Sequence, residues 1–530
     1  MIELINLYSA LLKSAANNPS SPALVDVNKR WTYHDLLMAV DRAADMFWEL
    51  GVRKDDKIII NLRNSAEFII AYTALSKIGA VAVPMNFLVS KTDEIHFILA
   101  DCHAKGIVTQ SEFIAPYEEV RKELPAIGFL LSTDSEGGTA KNFWNLINAS
   151  VFHPEAHNQK ITLDDVLTIL YTSGTTGHPK GVVLTHGNIL SNADASSQVL
   201  NISGKDVFLC LLPMFHTFAW TTSAVLPIML GSKILIVSHI APPKPWLTKM
   251  GKEGVTLMAA VPQVFSVIAK EAKGLKKLFL KYWAFRKMRF CISGAAPLSV
   301  ATLEHFEKQL NLPLVEGYGL TETSPVASAN RLNARKAGSV GLPIAGVKIK
   351  IIDDDGNTLP AGSEGEVCIK GPNVTKGYYG NPEATKELFT QDGWLKSGDI
   401  GVIDEEGFLF IRDRKKDMII VKGLKVYSAQ IEAVIHEHPA VCEAAVIGIP
   451  HEQGEEIIKC FCVPKPEMHV DKSELLCFMK ERLDPYKRPR EIEIVESLPK
   501  NSLQKVLKRT LRQQKIEKLK ARRNKSKAAH

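Results

Sequence analysis

The apolar positions of the first 170 residues switch between two periods. KIIINL (57–62) is a short continuous apolar run, the pattern of a buried strand, and AEFIIAYTALSKIG (66–79) spaces its apolar residues as a helix does until Gly79 stops it. AVAVPM (80–85) returns to a strand and KTDEIHFILADC (91–102) to an amphipathic helix. Strand and helix in alternation build a parallel sheet covered by helices. The polar stretch HPEAHNQK (153–160) separates this block from a further strand, VLTILY (166–171).

After residue 335 the pattern changes. GVKIKIID, GEVCIKG and GFLFIRD are short alternating strands punctuated by glycine, which predict a small antiparallel barrel or sheet. RDRKKD (412–417) breaks the pattern with charge. Beyond it AAVIGIP, IIKCFCVP, the helix SELLCFMKERL and EIEIVESLP make an α+β unit of about a hundred residues, a size that folds alone. The expected division is a large unit, 1–413, and a small one, 414–530.

From Val207 to Ser232 there is no Asp, Glu, Lys or Arg over 26 residues, longer than the roughly 20 that span a bilayer. Pro213, Pro227, His216 and the hydroxyls from Thr221 to Ser223 argue instead for a buried strand, a turn at PMFH and a buried helix.

At 530 residues, 45% apolar and 23% charged, the chain has the composition of a soluble globular protein of two or more domains. Eight scattered cysteines show neither a disulfide framework nor zinc spacing, and the start MIELINLYSALLKS lacks the features of a signal peptide. Both favour a reduced, cytoplasmic setting. The net charge of +7 is concentrated: residues 505–530 hold eleven Lys/Arg against Glu517, a net of +10, so residues 1–504 carry −3. The basic character therefore reads as a tail rather than a surface, a solvated and partly frayed end. Attraction to an anionic membrane is the second reading; nucleic acid is disfavoured because no aromatic residues interleave the charges.

The strand at 166–171 feeds YTSGTTGHPKGV (171–182). Thr172, Ser173, Thr175 and Thr176 supply hydroxyls, Gly174 and Gly177 let backbone approach a polyanion, and Lys180 adds charge. A P-loop would place a Lys-Ser/Thr pair at the start of a helix; here Lys180 is followed by glycine.

This segment, with EGYGLTETSP (316–325), GWLKSGDIG (393–401), RDRKKDMIIVKGLKV (412–426) and LPKNSLQKVLKR (498–509), resembles the adenylate-forming superfamily of acyl-CoA synthetases, nonribosomal adenylation domains and luciferases. LLPMFHTFAW (211–220) and CISGAAPL (291–298) extend the resemblance over nearly the whole chain, which is most similar to bacterial fatty-acyl-CoA synthetases.

The resemblance implies a large domain of two parallel-sheet α/β subdomains and a β-barrel-like one, with a small mobile α+β domain. It implies ATP, Mg²⁺ and coenzyme A as reactants. Residues 172–177 and Lys180 would hold the β- and γ-phosphates. Gly294, Ala295 and Ala296 would line the adenine and acyl carboxylate. Beside Glu316, Gly317 and Gly319, Tyr318 would stack on adenine; Thr321 would meet the α-phosphate and Glu322 the Mg²⁺. Asp399 and Arg414 would take the ribose, and Lys416 would mark the hinge. His216, Trp220 and Gly341 would border the acyl group, with Gly423 along the pantetheine path. Lys505 would stabilise charge on the reacting carboxylate and α-phosphate. Two departures stand out: Gln504 where the family usually has glycine, and Ser428-Ala429-Gln430-Ile431-Glu432 where it usually begins with proline.

The implied reaction converts a carboxylic acid, on this resemblance a fatty acid, to acyl-AMP and then to acyl-CoA. An aryl acid, or loading of a carrier protein, are the enzyme alternatives; an inactive nucleotide- or acyl-binding protein is the alternative of another class. A homodimer and a peripheral membrane contact through the tail are left open.

Overall fold

The segments singled out by their period take the expected forms. The run at 57–62 becomes the strand Lys57–Asn61, followed by the helix Ala66–Ile78, the strand Val81–Pro84 and the helix Thr92–Asp101. The helix Ala66–Ile78 starts where Ser65 Oγ accepts from the Phe68 amide and ends at Gly79, whose φ of 75° is open to glycine at no steric cost. It is buried almost all round, Lys77 included, and the Lys77 ammonium is met by Asp41 at 2.5 Å and His157 Nδ1 at 2.6 Å.

The computed structural model describes residues 3–26, 29–135, 139–172, 179–421, 424–450, 456–500 and 506–527. The chain forms two units, Met1–Ile349 with Ile369–Leu395, and Lys350–Cys368 with Lys396–His530.

The first unit holds two large sheets. One has eight strands, in the order Gly377–Tyr378, Lys180–Thr185, Val166–Thr172, Val81–Pro84, Lys57–Asn61, Ala104–Thr109, Phe129–Ser132 and Lys141–Asn142. Its strands from Val166–Thr172 to Lys141–Asn142 run parallel, while Lys180–Thr185 turns back antiparallel. The other has nine, with Leu314–Gly319, Phe290–Ser293, Leu257–Ala260, Val207–Cys210, Lys233–Ile236 and Pro22–Val25 as parallel neighbours.

The uncharged stretch folds inside this unit as the strand Val207–Cys210, a turn, and a helical run whose middle, Thr221–Val225, is π-wound. No helix among the described residues is long and apolar enough to cross a membrane.

A four-stranded sheet (Lys348–Ile352, Glu364–Lys370, Leu395–Ile403, Leu409–Arg414), most of it in the second unit, stands where the small antiparallel barrel or sheet was expected. A three-stranded sheet comes after it, Val441–Pro450 and Glu456–Pro464 antiparallel, with Glu491–Ile494 parallel to the second. Just past the expected boundary at residue 413, side chains from 415 to 428 bond back to the four-stranded sheet. Tyr427 hydroxyl donates to Glu364, Lys415 to Glu366 at 3.0 Å and Ser428 to Asp413 at 2.6 Å.

The expectation of a frayed tail is corrected. Lys508–Lys527 is a helix. Leu511 is buried with Ala445, Ile447 and Leu498, Lys508 pairs with Glu432 at 2.8 Å, and Lys515 with Glu491 at 3.0 Å. Burial lowers the Lys508 pKa, but the charges of Glu432 and Asp413 outweigh it and hold the ammonium above its usual value.

Candidate active site

Leu314–Gly319, Phe290–Ser293, Leu257–Ala260 and Val207–Cys210 are parallel and consecutive in the nine-stranded sheet, so the chain leaves all four at the same edge. That brings together segments 316–325, 293–297 and 211–220, which are about a hundred residues apart at the extremes. The carboxyl edge of a parallel sheet is where ligands lodge in open α/β folds.

The segment 316–325 makes a tight reversal. Tyr318 lies opposite Ser328, and the register slips between Tyr318 and Gly319. A Cβ on Gly319 would sit 1.7 Å from the Pro325 carbonyl oxygen, so no side chain fits; at Gly317 it would meet the Ser328 oxygen at 3.3 Å. Thr321 and Glu322, both half-buried, lie in the single turn Thr321–Thr323.

Two asparagines that sequence reasoning missed grip this reversal. Asn192 Nδ2 donates to the carbonyls of Val326 (2.6 Å) and Thr323 (3.2 Å), and Asn373 Nδ2 to the same two at 2.9 and 2.8 Å. Asn188, one turn before Asn192, donates to the carbonyls of Pro372 and Val374. The only local signal was the pair Asn188 and Asn192, four residues apart on one helix face.

Glu322 has a further partner that no motif announced. Tyr378 hydroxyl donates to Glu322 Oε1 at 2.9 Å, and the Lys180 ammonium lies 5.2 Å from the centre of the Tyr378 ring. Burial, together with the Glu322 charge and hydrogen bond, holds the phenol far above its usual pKa, so it stays a donor. Lys180 opens the strand paired antiparallel to Val166–Thr172, with Thr172 opposite it. Lys180 thus opens a strand, whereas the lysine of a P-loop opens a helix. Ser173, Gly174, Thr175, Thr176 and Gly177 lie outside the described residues.

At the next strand end, Gly294 is pressed on Phe218, where a Cβ would meet the ring at 3.0 Å; Ala295 has φ 64° and Ala296 is half-buried. The buried Ser293 Oγ has no partner among the described residues. Glu316 is buried and accepts from the Leu298 amide at 3.0 Å; burial pushes its pKa up to about 8. His216 precedes the helix Thr217–Trp220, and burial pushes its imidazole down to about 3, leaving it neutral. Trp220 lies in the core, its ring 4.0 Å from Tyr72 and 5.4 Å from Phe68. Gly341, at φ 86°, rests on the backbone of Ala329 and Asn330.

In the second unit Asp399 and Arg414 are cross-strand neighbours, Arg414 Nε lying 2.7 Å from the buried carboxylate. Lys416 is exposed in the turn Lys415–Asp417 directly after them. Gly423 and Lys505 lie outside the described residues. The backbone flanking 501–505 is paired at its base: Lys500 bridges Val506, and the Leu507 amide donates to Pro499 at 2.8 Å.

Glu322 tests well as a seat for a hard cation. Tyr378 takes Oε1, and Oε2 has no hydrogen bond among the described residues, leaving an anionic oxygen for metal.

Comparison with known proteins agrees with this arrangement. Residues 11–379 match the model of the AMP-binding enzyme family and residues 430–505 that of the AMP-binding enzyme C-terminal domain. A long-chain-fatty-acid–CoA ligase of Escherichia coli O6:H1 is 33% identical, covering 96% of this chain and 94% of its own. The long-chain-fatty-acid–CoA ligase FadD13 of Mycobacterium tuberculosis is 34% identical, covering 96% and 98%. Among solved structures, the anthranilate CoA ligase AuaEII with anthranoyl-AMP superposes with a TM-score of 0.88 at 26% identity, covering 96% and 97%. ATP-bound MatB from Rhodopseudomonas palustris gives 0.87 at 27%, covering 96% and 98%. With the family model spanning more than half of its length and its strand ends gathered as described, the chain belongs to the AMP-binding enzymes.

Proposed function

We propose that the protein activates a fatty acid with ATP and transfers it to coenzyme A. The observation that carries this reading is the convergence of 211–220, 293–297 and 316–325 at one sheet edge, with Glu322 held by Tyr378 beside Lys180. The relatives at 33 and 34% identity favour an aliphatic acid over the aryl acid of the neighbour at 26%.

In the first step a carboxylate oxygen of the acid attacks the α-phosphorus, and the bond to the bridging oxygen of pyrophosphate breaks. Lys180 and the hydroxyls of 172–176 take charge on the leaving phosphates, and Lys505 takes charge gathering on the reacting carboxylate and α-phosphate. Tyr318 stacks on adenine, Thr321 meets the α-phosphate, and Asp399 and Arg414 take the ribose. Mg²⁺, when bound at Glu322, neutralises phosphate charge. His216, neutral, lies beside the acyl carboxylate and can donate or accept a hydrogen bond without adding charge. In the second step the small domain turns at Lys416, withdrawing Lys505 and presenting Gly423. The thiol sulfur of coenzyme A then bonds to the acyl carbon, AMP leaves, and the thiol proton passes to solvent.

The test is AMP release from ATP with a panel of aliphatic and aryl acids, each with and without coenzyme A. CoA-dependent turnover peaking on medium or long chains is expected. A peak on aryl acids would replace the substrate class, and stoichiometric AMP with no turnover on adding CoA would replace the acceptor with a carrier protein.

A further inference from the structure

Two side chains from distant parts of the second unit meet on one serine. Ser428 opens the helix Ser428–His436 and is fully buried. Its hydroxyl donates to Asp413 Oδ2 at 2.6 Å and accepts from the Lys508 ammonium at 2.7 Å. Asp413 Oδ2 also accepts from the Ala429 amide at 3.2 Å, which satisfies an orphan N–H of the helix's first turn, and Oδ1 accepts from the Arg414 amide at 2.8 Å. Beyond the serine, Lys508 pairs with Glu432, whose carboxylate also accepts from the Val446 amide at 2.7 Å. Asp413, Ser428, Lys508 and Glu432 thus form one connected polar chain.

Ser428 stands where the resemblance would place proline. Proline suits the first position of a helix but has no hydroxyl. With proline there, Lys508 would keep Glu432 and Asp413 would keep the Ala429 amide, yet nothing would join the two pairs. The serine therefore adds a connection that starting the helix does not require.

The place of this connection along the chain gives it a consequence. Asp413 precedes Lys416, at which the small domain turns under the proposed function, whereas Ser428 and Lys508 follow it. Tyr427 to Glu364, and Lys425 to Asp354 at 3.7 Å, span the same point. A rotation at Lys416 carries residue 428 away from residue 413, so the hydrogen bond belongs to one arrangement only. Asp413 adjoins Arg414, which takes the ribose on that reading, and Lys508 lies three positions beyond Lys505. Two hydrogen bonds therefore separate the root of the lysine-bearing segment from the strand end with the ribose contact, a proximity that the first step uses.

We propose that Ser428 is a positioning residue: its hydroxyl latches the chain beyond the hinge onto Asp413 and favours the arrangement that forms acyl-AMP, acting on Lys505 through Lys508. This rests on the two-step activation reading and adds to it a residue that the motifs do not assign.

Ser428→Ala and Ser428→Pro both remove the hydroxyl, and the second keeps a residue suited to a helix start. Folding of both is checked by circular dichroism, and the two half-reactions are measured separately. Pyrophosphate release with acid and ATP is expected to slow about fivefold, the size of one hydrogen bond, while thioester formation from supplied acyl-AMP and coenzyme A keeps its wild-type rate. A serine that merely supports the fold would slow both steps alike. Without any turnover, trypsin cleavage after residues 412–416 of the full chain is expected to quicken about fivefold, because an unlatched hinge opens more often. Equal loss in both half-reactions overturns the proposal, as does no loss in either, or a loss confined to the thioester step. Wild-type cleavage rates in both variants overturn it too. If the wild type forms no acyl-AMP with any acid, the activation reading falls instead, and the cleavage rates alone decide the latch.

Discussion

The Tyr378 hydroxyl and the Glu322 carboxylate are 2.9 Å apart, joining residues 56 positions apart in the chain. Because Lys180 lies over the same ring, the tyrosine holds the carboxylate by its hydroxyl and meets the cation with its π face. Tyr378→Phe keeps the ring and removes the donor. The expected result is a loss of about tenfold in kcat/KM for ATP, the size of one charge-assisted hydrogen bond, with a raised Mg²⁺ requirement and an unchanged KM for the acid. Initial rates of pyrophosphate release across a Mg²⁺ series check this; a wild-type Mg²⁺ dependence would remove Tyr378 from the site.

Asn373 donates to two carbonyls of the reversal that carries Thr321 and Glu322. Asn373→Ala leaves both with Asn192 alone and is expected to cost about 1–3 kcal/mol, measured by urea unfolding, and to raise the KM for ATP. An unchanged unfolding midpoint would show that Asn192 suffices.

Glu316 sets a pH dependence. Its folded-state pKa of about 8 exceeds its ordinary 4.5 because the carboxyl is buried. Between those values the folded state keeps a proton that the unfolded state has released, so the group's contribution is complete below about pH 4.5 and is lost as pH rises to about 8. Glu316→Gln removes this slope. Relative to wild type, the variant is expected to gain about 2–4 kcal/mol between about pH 5 and about pH 8.5 in paired urea titrations. Parallel curves for the two proteins would place the Glu316 pKa near its ordinary value.

Lys505→Ala is expected to abolish acyl-AMP formation while sparing thioester formation from supplied acyl-AMP, as the LPKNSLQK resemblance implies. Separate assays of the two half-reactions decide it, and equal loss in both would reassign the lysine.

Much of this was readable along the chain. The runs at 57–62 and 66–79 became the strand and helix expected of them, because an element's period records which of its faces is buried. The ordered set of motifs placed the chain among the AMP-binding enzymes, and the uncharged stretch with its prolines read correctly as a buried strand, turn and helix. Tertiary structure alone decided the partners. Glu322 meets Tyr378, Asn373 reaches the carbonyls of Thr323 and Val326, and Asp399 faces Arg414, each through strand order and loop packing that no local pattern encodes. The same holds at the surface: GLKKLFLKYWAF has an amphipathic period, but only the side of the helix that meets Phe265 and Ile268 could show that Leu275, Leu278 and Tyr282 are left in solvent. Periodicity is set by neighbours three or four residues away, whereas the choice of which face is covered is settled by non-local packing free energy.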